Sequence, residues 1–117
     1  MKNDIEKIVE LALSEDIGQG DVSSALIDNK IIEAEIICRD DAIICGVEFF
    51  NLCFLSIDPK IQIHWKVEDG SRVKSGDKIC GLKGNTKTIV TAERAALNFL
   101  QILSATATQT SYLVSLI

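Results

Sequence analysis

The chain has 117 residues, 47% of them apolar and 25% charged, with a formal net charge of −5. That length suits one small domain with a modest core, and the apolar share excludes a disordered chain. The acidic balance disfavours nucleic acid and an anionic membrane surface as partners, since both require clustered lysine and arginine. It leaves small anionic ligands open, because one well-placed guanidinium binds a carboxylate inside an acidic protein.

The first segment, MKNDIEKIVELAL, is too charged for a signal peptide or a membrane span. Residues 4–14 read as a helix, with Ile5, Ile8, Val9 and Ala12 on one face and Asn3 and Glu6 at capping-box spacing. EDIGQGD then breaks it. Gly18 and Gly20 form a G-x-G with no third glycine and no preceding strand, while Glu15, Asp16 and Asp21 would repel a phosphate. The segment therefore reads as a glycine turn, with Asp21 or Ser23 capping the next element.

Residues 31–45 are rich in isoleucine and read as one or two strands, stopped by Gly46. VEFFNLCFLSI returns to helical spacing through Val47, Phe50, Phe54 and Ile57, and Asp58-Pro59 closes it. Ile61, Ile63, Trp65 and Val67 alternate with polar residues, the pattern of a half-buried strand. His64, on the polar side of that strand, reads as a solvated surface residue. Asp69-Gly70 and Ser75-Gly76-Asp77 are turns, and Lys78–Leu82 and Thr86–Val90 read as short strands. A last helix starts near Thr91 and runs to the end. The order α-β-β-α-β-β-β-α gives an α+β class.

Cysteines stand at 38, 45, 53 and 80, each among apolar neighbours, with no CxxC spacing and a single histidine in the chain. They read as reduced, buried thiols of a cytosolic protein rather than zinc ligands or disulfides. No metal site is expected, and localisation is expected to be cytoplasmic.

Arg94 is the conspicuous residue. From the spacing it opens a helix that is apolar on almost every side: Ala95, Ala96, Leu97, Phe99, Leu100, Ile102, Leu103, Ala105 and Ala107. An unpaired charge there is costly. Arg94 must meet a structural acid, Glu93 or one elsewhere, or project from the helix mouth into a cleft. A cation at a helix N-terminus opposes the macrodipole, whereas an anion there would meet both the arginine and the free N–H groups. The chain then ends in Tyr112, Leu113, Val114, Leu116 and Ile117 with no stop signal, so the polypeptide is expected to continue.

The motifs carry two resemblances. VEDGSRVKSGDKICGLKG resembles the hairpins of biotinyl and lipoyl carrier domains, yet the carrier lysine is not evident: the only methionine is Met1, and Lys78 lies between Asp77 and Ile79. Shared hammerhead-type architecture is implied, not shared chemistry. LALSEDIGQGDVSS, GVEFF, VEDGSRVKSGDKICGLKG and TAERAALNFLQILSATATQT, in that order, resemble the N-terminal part of quinolinate phosphoribosyltransferases. These are also called nicotinate-nucleotide pyrophosphorylases (carboxylating).

The resemblance implies a hammerhead-type α/β sandwich over residues 1–110. Residues 111–117 would end a connecting helix that leads toward an α/β barrel not contained in the chain. It implies an enzyme of NAD biosynthesis that converts quinolinate and phosphoribosyl pyrophosphate, with Mg2+, to nicotinate mononucleotide, pyrophosphate and carbon dioxide. It implies a homodimer in which the arginine of an E-R-x-x-L-N motif binds a quinolinate carboxylate in the neighbouring subunit's site. Glu93-Arg94-Ala95-Ala96-Leu97-Asn98 matches that motif, so the role falls on Arg94. No acid, base, nucleophile or metal ligand is implied here, so the 117-residue chain alone is expected to be inactive and to bind no cofactor.

The chain departs from the family's L-S-G-I-A-T at Leu103-Ser104-Ala105-Thr106-Ala107-Thr108. Alanine for glycine favours a helix by about 1 kcal/mol, so folding is not threatened. Lys87 keeps the basic charge that the family often places before the helix. The rival readings are a stand-alone lipoyl- or biotinyl-like binding module and a molybdate-transport-associated paralogue of the same fold.

Overall fold

The structure is a computed structural model that describes the backbone of residues 3–24 and 29–116, and the side chains of residues 3–16 and 29–105. Its elements are α1 (Asp4–Ser24), β1 (Ile31–Ile37), β2 (Ala42–Ile43), α2 (Val47–Ile57), β3 (Gln62–Trp65), β4 (Arg72–Val73), β5 (Lys78–Asn85) and α3 (Thr86–Leu116). The α+β order matches the expected one. Two assignments inside it do not.

The strand expected at Thr86–Val90 is the first turn and a half of α3. β-Branched Thr, Ile and Val favour strands only weakly when tertiary burial decides otherwise. Here Thr88, Ile89 and Ala92 are buried on one helical face. Asn85 supplies the cap: its Oδ1 accepts the Lys87 N–H at 2.9 Å, and Lys30 O accepts the Thr86 N–H at 2.7 Å. The missing third strand is β4, two residues that pair with β2.

The break expected at EDIGQGD is also absent, since α1 runs on to Ser24. An interior glycine costs a helix only about 1 kcal/mol relative to alanine. Asn3 caps α1 as its spacing required, accepting the Glu6 N–H at 2.8 Å. The buried face is Val9 and Leu13, with Ile5 and Ala12 half-buried, while Ile8 points outward at 49% exposure. The side chains of Asp21 and Ser23, and the apolar tail from Tyr112 to Ile117, lie outside the described side chains.

β1, β5 and β3 form an antiparallel sheet in that order. Ile32, Ala34 and Ile36 of β1 face the helices beside Gly84, Leu82 and Cys80 of β5. Ile63 and Trp65 of β3 pair with Leu82 and Cys80 on the same side. The other face is exposed and mostly polar, with Glu33, Glu35, Gln62, His64, Lys78 and Lys83, and with Ile31 and Ile37 exposed at the two ends of β1. It carries a Lys78–Glu35 ion pair at 3.4 Å, and His64 is a surface residue.

The core is built on Phe50, Cys53 and Phe54 of α2, all fully buried. Phe50 meets the Trp65 ring edge-on at 5.0 Å, which joins α2 to the sheet. Phe49 meets Phe99 at 5.1 Å, which joins α2 to α3. Among the described residues no helix is long and apolar enough to cross a membrane.

Candidate functional site

The cleft between α1 and α3 contains Arg94. Its geometry is set by helical spacing. Ala12 and Asp16, one turn apart on α1, form one wall. Arg94, Asn98 and Ile102, successive turns of α3, form the other, and Ala95 and Phe99 lie between them. Ala92, Ala95 and Ala96 are small and buried, so α3 packs closely against its neighbours. Arg94 stands at the rim of this packed surface. The cleft has a volume of about 300 Å3 and also includes Glu15.

Arg94 is not at a helix mouth. α3 begins at Thr86, so Arg94 lies more than two turns inside it, beyond the reach of the terminal N–H groups. The anion site expected from arginine plus helix terminus therefore does not form. Nor is the helix apolar all round: Val90, Glu93, Arg94, Asn98, Gln101, Ile102 and Ala105 are exposed. Ala105, where the family has glycine, is exposed in this chain.

Both alternatives open to Arg94 are visible in one geometry. Its Nη1 lies 3.5 Å from Asp16 Oδ1, so it has an acid partner, though not Glu93. Yet the Arg94 side chain is 65% exposed, against 18% for Asp16. A long, single-contact pair with one solvated partner contributes less than about 1 kcal/mol to stability. A guanidinium has five N–H donors, so a contact through Nη1 leaves donor capacity for a second carboxylate.

The sequence alone does not point to Asp16 as that partner. Its motif reads as a loop on account of the glycines, and only the packing of α1 on α3 brings it to Arg94. Asp16 also lies close enough to Cys53 to matter. Burial, with the Asp16 charge second, pushes the Cys53 thiol up to about 12 from 9.0. Burial alone pushes Cys80 up to about 12. All four cysteines are free, Cys53 and Cys80 buried, Cys38 and Cys45 half-buried.

Among the described residues no three His, Cys, Asp or Glu side chains come together to hold a metal ion. The cleft presents the exposed Arg94 guanidinium beside the carboxylates of Glu15 and Asp16 and the apolar side chains of Ala12, Ala95, Phe99 and Ile102.

Residues 21–104 match the family model described as quinolinate phosphoribosyl transferase, N-terminal domain. The chain is 36% identical over 110 residues to quinolinate phosphoribosyltransferase [decarboxylating] 1 of Nicotiana glauca, a match that covers 92% of this chain and 31% of that protein. It is 31% identical over 107 residues to the probable nicotinate-nucleotide pyrophosphorylase [carboxylating] of Bacillus subtilis, covering 91% of this chain and 37% of that one. Its fold superimposes on the nicotinate-nucleotide pyrophosphorylase of Francisella tularensis with a TM-score of 0.92 and 42% identity, over 99% of this chain and 42% of that structure. The chain thus spans about a third of the length of the curated relatives it matches.

Proposed function

Since this chain belongs to the quinolinate phosphoribosyl transferase N-terminal domain family, we propose that it serves a phosphoribosyltransferase of NAD biosynthesis as its substrate-binding and dimerisation domain. The reaction joins quinolinate to phosphoribosyl pyrophosphate and releases nicotinate mononucleotide, pyrophosphate and carbon dioxide. The observation that carries the reading is Arg94. It lies inside the family-matched span, in Glu93-Arg94-Ala95-Ala96-Leu97-Asn98, with its guanidinium exposed at the rim of the α1–α3 cleft.

In this reading Arg94 binds one carboxylate of quinolinate in the neighbouring subunit's site. Quinolinate is a dianion, and a guanidinium fork suits a planar carboxylate group. Such a bond contributes roughly 1.5–3 kcal/mol. Arg94 orients the substrate and balances its charge. It moves no proton and forms no covalent bond. Exposed Ile8 and Leu11 on α1 and Ile102 on α3 supply the apolar surface that a homodimer would cover.

The chemistry itself, with its magnesium, falls to parts of the enzyme beyond these residues. The 117-residue chain alone then has no transferase activity, and turnover above background by the purified chain would overturn that statement. The free cysteines fit a reducing compartment, the cytoplasm in our reading. Some plant relatives are named as mitochondrial or chloroplastic.

A molybdate-transport-associated paralogue would share the architecture, but the matched relatives are transferases by name, which favours the transferase. A lipoyl- or biotinyl-like carrier is disfavoured by the family match and by the want of a carrier lysine.

The test begins with the gene. The reading frame past codon 117 should encode roughly one more domain of alternating strands and helices. In that full polypeptide Arg94→Ala should raise the quinolinate KM and lower kcat/KM by about tenfold or more. Unchanged constants would remove Arg94 from the substrate site.

A further inference from the structure

We propose that Asp16 is a positioning residue for Arg94, an inference that rests on the reading of Arg94 as the substrate-binding arginine. Three observations carry it. Asp16 is the ion-pair partner of Arg94, at 3.5 Å through a single nitrogen. Asp16 is largely buried while Arg94 is largely exposed, so the anchored member is the acid and the presented member is the guanidinium. Both line the same cleft, with Ala12, Asn98 and Ile102 around them.

An arginine that is 65% exposed samples many rotamers in water, and each must be abandoned when it grips a ligand. A carboxylate fixed on α1 that holds Nη1 removes part of that freedom before the ligand arrives. A substrate mimic occupying the fork would be expected to make two short contacts to it. Asp16 makes one long one, so the other donors stay available to a second, planar carboxylate. Asp16 therefore sets where the fork points and does not block it. The family-model match spans residues 21–104, so it includes Arg94 and leaves Asp16 outside. The device is built from a residue of α1 that the matched span does not contain.

Two experiments test it. In the 117-residue chain, the Arg94 guanidinium signals in 15N NMR spectra should move, and rotation about its Cζ–Nε bond should quicken, in Asp16→Asn. Glu15→Gln, which alters a neighbouring acid of the same cleft, should leave them in place. Arg94 signals indifferent to Asp16→Asn would overturn the proposal at the level of geometry.

In the full polypeptide, Asp16→Asn should raise the quinolinate KM by about 2- to 5-fold. The KM for phosphoribosyl pyrophosphate should not change, and Asp16→Glu should recover most of the loss. A loss of fold would lower the apparent kcat by reducing the active fraction and would leave both Michaelis constants where they were. In an Arg94→Ala background Asp16→Asn should add nothing, because it acts through the arginine. An additive effect in that background overturns the positioning role and leaves the reading of Arg94 standing. A silent Arg94→Ala overturns the reading of Arg94 first, and this inference with it.

Discussion

Gly46 lies directly against Leu103: a Cβ on Gly46 would come within 2.9 Å of Leu103 Cδ1 and 3.4 Å of Leu103 Cβ. Gly46 also has φ +105, a backbone region that side chains rarely adopt. One turn of α3 is thereby seated on the junction between β2 and α2. Ser104 completes the seat, its Oγ accepting the Cys45 N–H at 3.0 Å and donating to Cys45 O at 3.2 Å. Gly46→Ala should then cost about 2–4 kcal/mol, from backbone strain and overpacking together. A thermal melt followed by circular dichroism should show the midpoint fall by about 10 °C or more.

Asp69 holds the same junction from the other side. Its Oδ1 accepts N–H groups from Gly46 at 3.0 Å and Val47 at 3.1 Å, so a turn residue caps α2 from a distant part of the chain. Gly46, at the cap position, has no side chain to do this. Asp69→Ala should cost about 1–2 kcal/mol in urea unfolding. Asp69→Asn keeps the acceptor and loses only the charge beside the helix N-terminus, so it should cost about half as much or less. Equal losses in both variants would assign the effect to charge alone.

Much of the fold was legible because hydrophobic spacing and turn chemistry agree. Phe50 and Phe54 are the fully buried pair that their helical spacing marked, and Ile63 and Trp65 face inward as their alternation required. Legibility failed where a weak local preference opposed a tertiary contact. Thr86–Val90 has strand-like residues in a helix whose buried face outweighs them. The error had a cost at the site, because it put Arg94 at a helix terminus and lent it N–H groups that are in fact bonded. Asn85 before the Thr-Lys-Thr run was the signal that could have corrected it, as a cap residue in the right place. Asp16 had no such signal. Its pairing with Arg94 exists only because α1 continues past Glu15 and lies on α3, and no periodicity within either segment encodes that.

Trp65 is the only tryptophan in the chain, and its Nε1–H donates to Asn51 Oδ1 at 2.6 Å. The ring lies half-buried against Phe50, so the N–H has little water to turn to if the acceptor is removed. Asn51→Leu should cost about 1–2 kcal/mol for the lost bond. The fluorescence maximum of the folded protein should shift to the blue as the indole loses its polar partner. An unchanged spectrum would mean that the hydrogen bond does not form in solution.

The buried thiols give a pH dependence of definite sign. Cys53 and Cys80 have folded values pushed up to about 12, from 9.0 when free. A raised value means that the folded state keeps a proton that the unfolded chain gives up. The contribution to stability is complete below pH 9, and it is lost as pH rises from about 9 toward about 12. Each thiol contributes a slope of at most about 1.4 kcal/mol per pH unit in that window. Urea midpoints measured at pH 8 and pH 10.5 should fall with pH, and Cys53→Ala should flatten the fall while lowering stability at both values. At pH 8 a thiol reagent should modify neither cysteine in the folded protein and both in 8 M urea, since the thiolate is scarce and the side chains are enclosed. Rapid labelling of folded Cys53 would mean that α2 opens away from the elements that bury it.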